Sequence, residues 1–207
     1  MIDFQTVFIG FVVLLLSLTF HEAAHALSAD MLGDPTARQL GRVSLNPVVH
    51  IDPIGTVLFP LVSMFTGLPL IGWAKPVPVN PHNLHGHWKR KYMLIAAAGP
   101  ATNLGLAVVG AIGMRVIGFE GGATPLFQFL RFLVLVNVLL AVFNMIPIPP
   151  LDGGNVLMGL LRGPASELYA RIRPYGMVIL YGLLLSGLLW RIVDPVQAAI
   201  RRVLLPS

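Results

Sequence analysis

From Phe4 to Phe20 the chain reads FQTVFIGFVVLLLSLTF without one charged residue, and it then runs directly into His21-Glu22-Ala23-Ala24-His25. No other feature constrains the fold as much. An apolar segment of this length approaches what a helix needs to cross a hydrocarbon core about 30 Å thick. A carboxylate near the end of such a span costs about 2.5–3.5 kcal/mol on insertion scales unless something compensates it. A bound cation compensates, and it also explains the spacing. Positions i and i+4 of a helix share a face, so His21 and His25 can reach one ion together. Glu22 lies about 100° around the helix from His21, able to face a water on the metal instead of the metal itself. The pattern points to zinc-dependent hydrolysis within a membrane span.

Composition agrees. The chain is 56% hydrophobic and 11% charged, against about 25% charge in a soluble domain, which argues for an integral membrane protein. With no cysteine, neither a disulfide framework nor a thiolate zinc site is available, so any zinc must use His, Asp or Glu. The net charge of +5 is spread over short connections and reads as topology information, not as a nucleic-acid surface. Asp3 stands where a signal peptide would carry basic residues, so the first apolar segment is expected to remain as a span.

Further along, spans are expected at 4–29, 92–119, 126–146 and 174–190, with a re-entrant or additional span at 54–74. Gly33, Pro35, Gly41, Pro47 and Pro53 break the connection after the first span, and short β-strands are expected around Arg38–Leu45. Pro76, Pro78 and Pro81 make Lys75–Lys91 an extended segment. The tail from Asp194 is expected as a short interfacial helix. The expected fold is therefore an all-α polytopic membrane protein: about four full transmembrane helices, a re-entrant or interfacial segment and short β-strands, in a single domain 1–207.

A third ligand is needed, because catalytic zinc takes three protein ligands and an open water position. Asp152 answers that need, following Pro147-Ile148-Pro149-Pro150 and preceding Gly153-Gly154, although an Asp-Gly turn is its simpler reading. If Asp152 meets His21 and His25, the chain must cross the membrane an even number of times between them. Two clean spans already do so, which makes 54–74 re-entrant. The basic residues Arg38, Arg42, Lys75, Lys89, Arg90, Lys91, Arg162, Arg171 and Arg173 then share one side, cytoplasmic by the positive-inside rule. Arg201 and Arg202 fall opposite, against the rule. Asn103 and Asn144, in or at the ends of spans, serve either interhelical hydrogen bonding or support of an oxyanion or the substrate backbone. His50, His82, His85 and His87 read as interfacial side chains.

HEAAH in the first span, GPATN at 99–103 and NMIPIPPLDGG at 144–154 resemble the site-2 protease family of intramembrane zinc metalloproteases, peptidase family M50. GRVSLNPVVHIDPIGT and GWAKPVPVNP resemble its compact bacterial and archaeal branch, without a PDZ domain. The resemblance implies one Zn²⁺ held by His21, His25 and Asp152, with Glu22 as catalytic base and Asn103 and Asn144 in support. It implies an endopeptidase that cuts transmembrane protein substrates within or near their helices, in regulated intramembrane proteolysis. The setting would be a prokaryotic inner (plasma) membrane, the site lying toward the cytoplasmic half, with no nucleic-acid partner. The competing reading is a non-proteolytic membrane metal-binding protein or metal-ion transporter using the same ligands.

Overall fold

The computed structural model describes residues 4–66, 73–118 and 124–205. Helix α1 (Phe4–Met31) runs unbroken through the apolar segment and the HEAAH motif. A single turn of helix, α2 (Thr36–Gln39), follows. A π-helical turn at Pro53–Leu58 then leads into α3 (Phe59–Thr66). Two long helices come next, α4 (Trp88–Ile117) and α5 (Pro125–Asn144). The chain closes with α6 (Asp152–Leu160), α7 (Pro164–Ile172), α8 (Gly176–Leu185) and α9 (Leu188–Leu204).

Among the described residues, α1, α4 and α5 are each long and apolar enough to cross a membrane. The pair made by Pro164–Leu185 and α9, bent by 78° at its break, is a broken span or a re-entrant loop, and brings the number to four if it counts as one span. The protein is an all-α integral membrane protein. The expected span at 174–190 is divided between α8 and the first turn of α9, with Gly187 in the left-handed region (φ 72°) at the bend.

Polar ends are capped locally. Pro125 opens α5, and the Thr124 hydroxyl accepts from the Phe127 N–H, satisfying a donor that the helix leaves unpaired. Asp52 accepts from the N–H groups of Ile54 and Gly55, and its own N–H donates to the Thr56 hydroxyl.

Lipid supplies no hydrophobic drive between helices, so close packing must hold them together. Val13, Leu14 and Leu18 of α1 interlock with Leu133 and Val136 of α5. On α4, Ala107, Ala111 and Met114 meet Phe127, Val134 and Val138 of α5, with Ile200 and Leu204 of α9 packed on the same cluster. Leu189 and Val193 pack instead near Ile146, Leu139 and Val142. Helix α9 therefore runs along α5 in the opposite sense. Gln5 and Gln128 share a hydrogen bond at the end away from HEAAH, so α1 and α5 start together and point the same way.

The two ends of the 54–74 segment lie together, while residues 67–72, on which the re-entrant expectation also falls, lie outside the described residues. The Trp73 N–H donates to Gly55 O and the Trp73 carbonyl accepts from the Thr56 hydroxyl. The Lys75 N–H then donates to His50 O.

No β-strand is found among the described residues, which corrects the expectation for Arg38–Leu45. Arg38 lies in α2, and Arg42 sends its guanidinium to the carbonyls of Val49, Lys75 and Pro76. A strand needs a neighbouring ladder. Here turn bonds within the segment, from the Gly41 N–H to Arg38 O and from the Arg42 N–H to Ala37 O, take the place of a ladder.

Candidate active site and metal centre

One turn of α1 carries His21, Glu22 and His25, all buried. Against it lies α4, and Gly99 is the point of closest approach. A Cβ at Gly99 would stand 2.6 Å from His21 Cε1 and 2.7 Å from His21 Nε2, so only glycine lets the two backbones come together over the imidazoles. Pro100 interrupts the α4 backbone ladder at the same level, tolerated in a membrane helix where neighbours satisfy the freed groups.

The third side chain arrives from the distant α6. After α5 the chain doubles back through Pro147–Pro150, and Asp152 becomes the first residue of α6. Gly153 lies on the backbone of Met145 and Ile146, and a Cβ on Gly154 would meet Pro149 N at 2.8 Å. Two glycines are what allow the turn to fold this tightly, and the fold brings Asp152 over the histidines.

His21 Nε2 and His25 Nε2 are 3.0 Å apart, and Asp152 Oδ2 lies 3.1 Å from the first and 3.3 Å from the second. Both imidazoles are committed through their other nitrogen. His21 Nδ1 donates to Asn103 Oδ1 at 2.6 Å, and His25 Nδ1 donates to the Ile95 carbonyl at 2.7 Å. With the proton on Nδ1, each neutral imidazole presents an Nε2 lone pair to a metal, and Asp152 Oδ2, buried with no hydrogen-bond donor, faces both. Three such atoms facing one another in a buried space repel unless a proton or a metal ion sits among them. Ligand atoms about 2.0–2.1 Å from a tetrahedral zinc stand about 3.3 Å apart, and the observed separations of 3.0–3.3 Å fit. Among the described residues, this is the one group of three or more such side chains able to hold a metal ion.

Glu22 points to a different neighbour. Its Oε2 accepts from the Val77 N–H at 3.0 Å, so the non-helical segment from Trp73 to Asn80 lies across the base of the site. Asn103 is fully buried, with its amide bonded to His21, Asn137 and the Ser17 carbonyl. Asn144 makes a local bond to Leu140 O and is half-buried.

Some participants were not anticipated. Asn137, Ser17, Arg42 and the carbonyl of Ile95 all tie into the site or its cover. An amide in the middle of VLVNVLL was the signal for Asn137, since such a group needs a partner in a span.

Two histidines one turn apart, a carboxylate from another helix and a nearby glutamate define a zinc site of the hydrolytic class. Residues 120–187 match the model of Peptidase family M50. The chain is 36% identical over 183 residues to YwhC of Bacillus subtilis (strain 168), named as a zinc metalloprotease, covering 86% of this chain and 80% of that protein. It is 30% identical over 179 residues to Rip2 of Mycolicibacterium smegmatis, also named as a zinc metalloprotease, and spans 66% of that longer protein. MJ0611 of Methanocaldococcus jannaschii is 48% identical over 63 residues, about a third of either chain (30% and 31%). No solved structure matches. The chain belongs to peptidase family M50, the site-2 protease family, and is a zinc metalloprotease of the membrane.

Proposed function

We propose that this single-domain protein is an intramembrane endopeptidase that hydrolyses peptide bonds within or near the transmembrane helices of other proteins. The observation that carries this reading is the position of His21, Glu22 and His25, buried in one turn of a helix long enough to span a membrane. His21, His25 and Asp152 hold the zinc. Zinc, when bound, lowers the pKa of a water toward about 7 and polarises a peptide carbonyl.

The chain supplies the proton chemistry. Glu22 has one carboxylate oxygen held by the Val77 N–H, which orients the group and leaves the other to take the proton from the attacking water. The same carboxyl then returns a proton to the leaving nitrogen. Asn103 and Ile95 keep the imidazole Nε2 atoms free for the metal. Asn144, with its amide half-buried at the end of α5, remains the candidate for contact with substrate.

A substrate carbonyl inside an intact helix is engaged in an i to i−4 hydrogen bond, so the substrate must unwind before it is cut. The unwound chain pairs with the segment around Val77–Asn80 by strand addition. The meeting of Trp73 with Gly55 supports a re-entrant 54–74 segment. With it the site lies toward the cytoplasmic half of a prokaryotic plasma membrane. Crosslinking from Val79 that never captures substrate would remove the strand-addition step.

The test is reconstitution of the full chain with a single-span substrate, with metal content measured beside cleavage. Wild type should cut inside the span. Glu22→Gln should retain zinc and lose turnover by about 10²–10⁴-fold. Cleavage by both forms would remove Glu22 as the base. Zinc uptake into vesicles without cleavage would favour the transporter.

A further inference from the structure

Behind His21 a line of buried polar groups runs back between α1, α4 and α5, and its direction is set by groups that can only accept. The Ser17 hydroxyl donates to Val13 O at 2.7 Å, so its lone pairs face Asn137. Asn137 Nδ2 donates to that hydroxyl at 2.8 Å and to Leu133 O, also at 2.8 Å. Backbone carbonyls cannot donate. A flipped Asn137 would set its own carbonyl against that of Leu133, so Asn137 Oδ1 must face Asn103. There it accepts from Asn103 Nδ2 at 2.7 Å, while the same nitrogen lies 3.4 Å from Ser17 O. Asn103 cannot flip either, because its oxygen would then meet two acceptors. Its Oδ1 is left facing His21 Nδ1 at 2.6 Å. Asn103 and Asn137 are both fully buried, so no water can relax the pattern.

We infer that Asn137 is a positioning residue: through Asn103 it imposes the Nδ1–H tautomer on His21, so that Nε2 presents its lone pair to zinc. This deepens the metal-site reading and rests on it. The two histidines are set by different means. His25 is oriented by the Ile95 carbonyl, which has no alternative orientation. His21 depends on a side-chain amide that would be free to turn without its second partner. Groups that orient a metal-binding imidazole are worth about 10–100-fold in metal affinity when removed, and Asn137 acts at one further remove, without touching metal, water or substrate.

The experiment measures zinc affinity of the purified full chain by chelator competition, with melting of the zinc-free protein recorded in parallel. Asn137→Leu keeps the volume and removes the amide; it should weaken zinc about tenfold. Adding Asn103→Asp to that variant should restore affinity to within a few-fold of wild type, because a carboxyl group presents an acceptor to His21 in either orientation. Unchanged affinity in a folded Asn137→Leu protein would overturn the inference, and so would a loss that Asn103→Asp does not repair. Should Asn137→Leu fail to fold, nitrogen-15 NMR of histidine in the zinc-loaded wild type decides. A slowly exchanging proton on His21 Nδ1 is expected, and a His21 lacking it would overturn the inference. Wild type that binds no stoichiometric zinc would instead remove the metal-site reading itself.

Discussion

Val77 donates its backbone N–H to Glu22 Oε2 across 3.0 Å, joining residues 55 positions apart in the chain. Through this bond the glutamate is oriented by a segment that belongs to no helix, and that segment is held in turn by Arg42 and Asp34. Arg42 binds the carbonyls of Lys75 and Pro76 at 2.6 and 3.0 Å as well as Val49 O. Asp34 accepts from the Asn80 N–H at 2.6 Å and from Asn83 Nδ2 at 2.7 Å. The base is thus anchored from both ends of residues 75–83.

Arg42→Ala should lower cleavage by between about 10- and 100-fold, the range expected when a reacting group is misplaced by about an ångström, with zinc content unchanged. Arg42→Lys should recover only part of the rate, because one ammonium cannot reproduce a planar fork spread over several carbonyls. Metal analysis and a cleavage assay on the same preparations check both. Full activity in Arg42→Ala would detach the segment from catalysis.

Asp152→Asn should bring zinc content close to zero, since the amide is a poor substitute for an anionic ligand. Metal analysis of the variant and wild type, purified side by side, reads the difference. Stoichiometric zinc in the variant would remove Asp152 from the ligand set.

Gly99→Ala places a methyl group against His21 and His25. Overpacking of this kind costs about 1–3 kcal/mol, and here the displaced side chains are the ligands, so zinc affinity should fall together with stability. Alanine at Gly105, where a Cβ meets nothing within 4 Å, is the control. Equal behaviour of the two variants would contradict the close approach.

Acidification should release the cover from its Asp34 end. Burial pushes the Asp34 carboxyl up, but hydrogen bonds from Asn83, Thr36 and the Asn80 N–H outweigh it and hold the pKa below its ordinary value of 3.8. A carboxylate depressed in the folded state contributes stability that is present above the unfolded pKa and is lost as pH falls through the folded one. Asp34→Asn should therefore be less stable than wild type at neutral pH, with the gap closing below about pH 4. Melting temperatures of the two proteins against pH give the comparison, and a gap that widens on acidification would reverse the sign.

Much of the site was legible in the chain because its elements are local. His21, Glu22 and His25 lie within one helical turn, and their meaning follows from helix geometry and the cost of placing them in an apolar span. Asp152 was found by a different route, as the carboxylate needed to complete a ligand set and satisfy crossing parity. The strands expected at Arg38–Leu45 are absent because prolines and glycines mark irregular backbone without saying what will satisfy it. In this protein the Gly41 and Arg42 N–H groups close onto the carbonyls of Arg38 and Ala37 instead.

By itself, then, the sequence determined the helical spans, the two histidines and the glutamate, since periodicity and hydropathy act over a few residues. Tertiary structure alone decided which amide faces which imidazole. The hydrogen bonds from His21 to Asn103, Asn137 to Ser17 and Val77 to Glu22 join residues 82, 120 and 55 positions apart. Hydrogen bonds are directional and short, so their partners exist only once α1, α4 and α5 have packed. No pattern along the chain encodes the orientation of a buried amide.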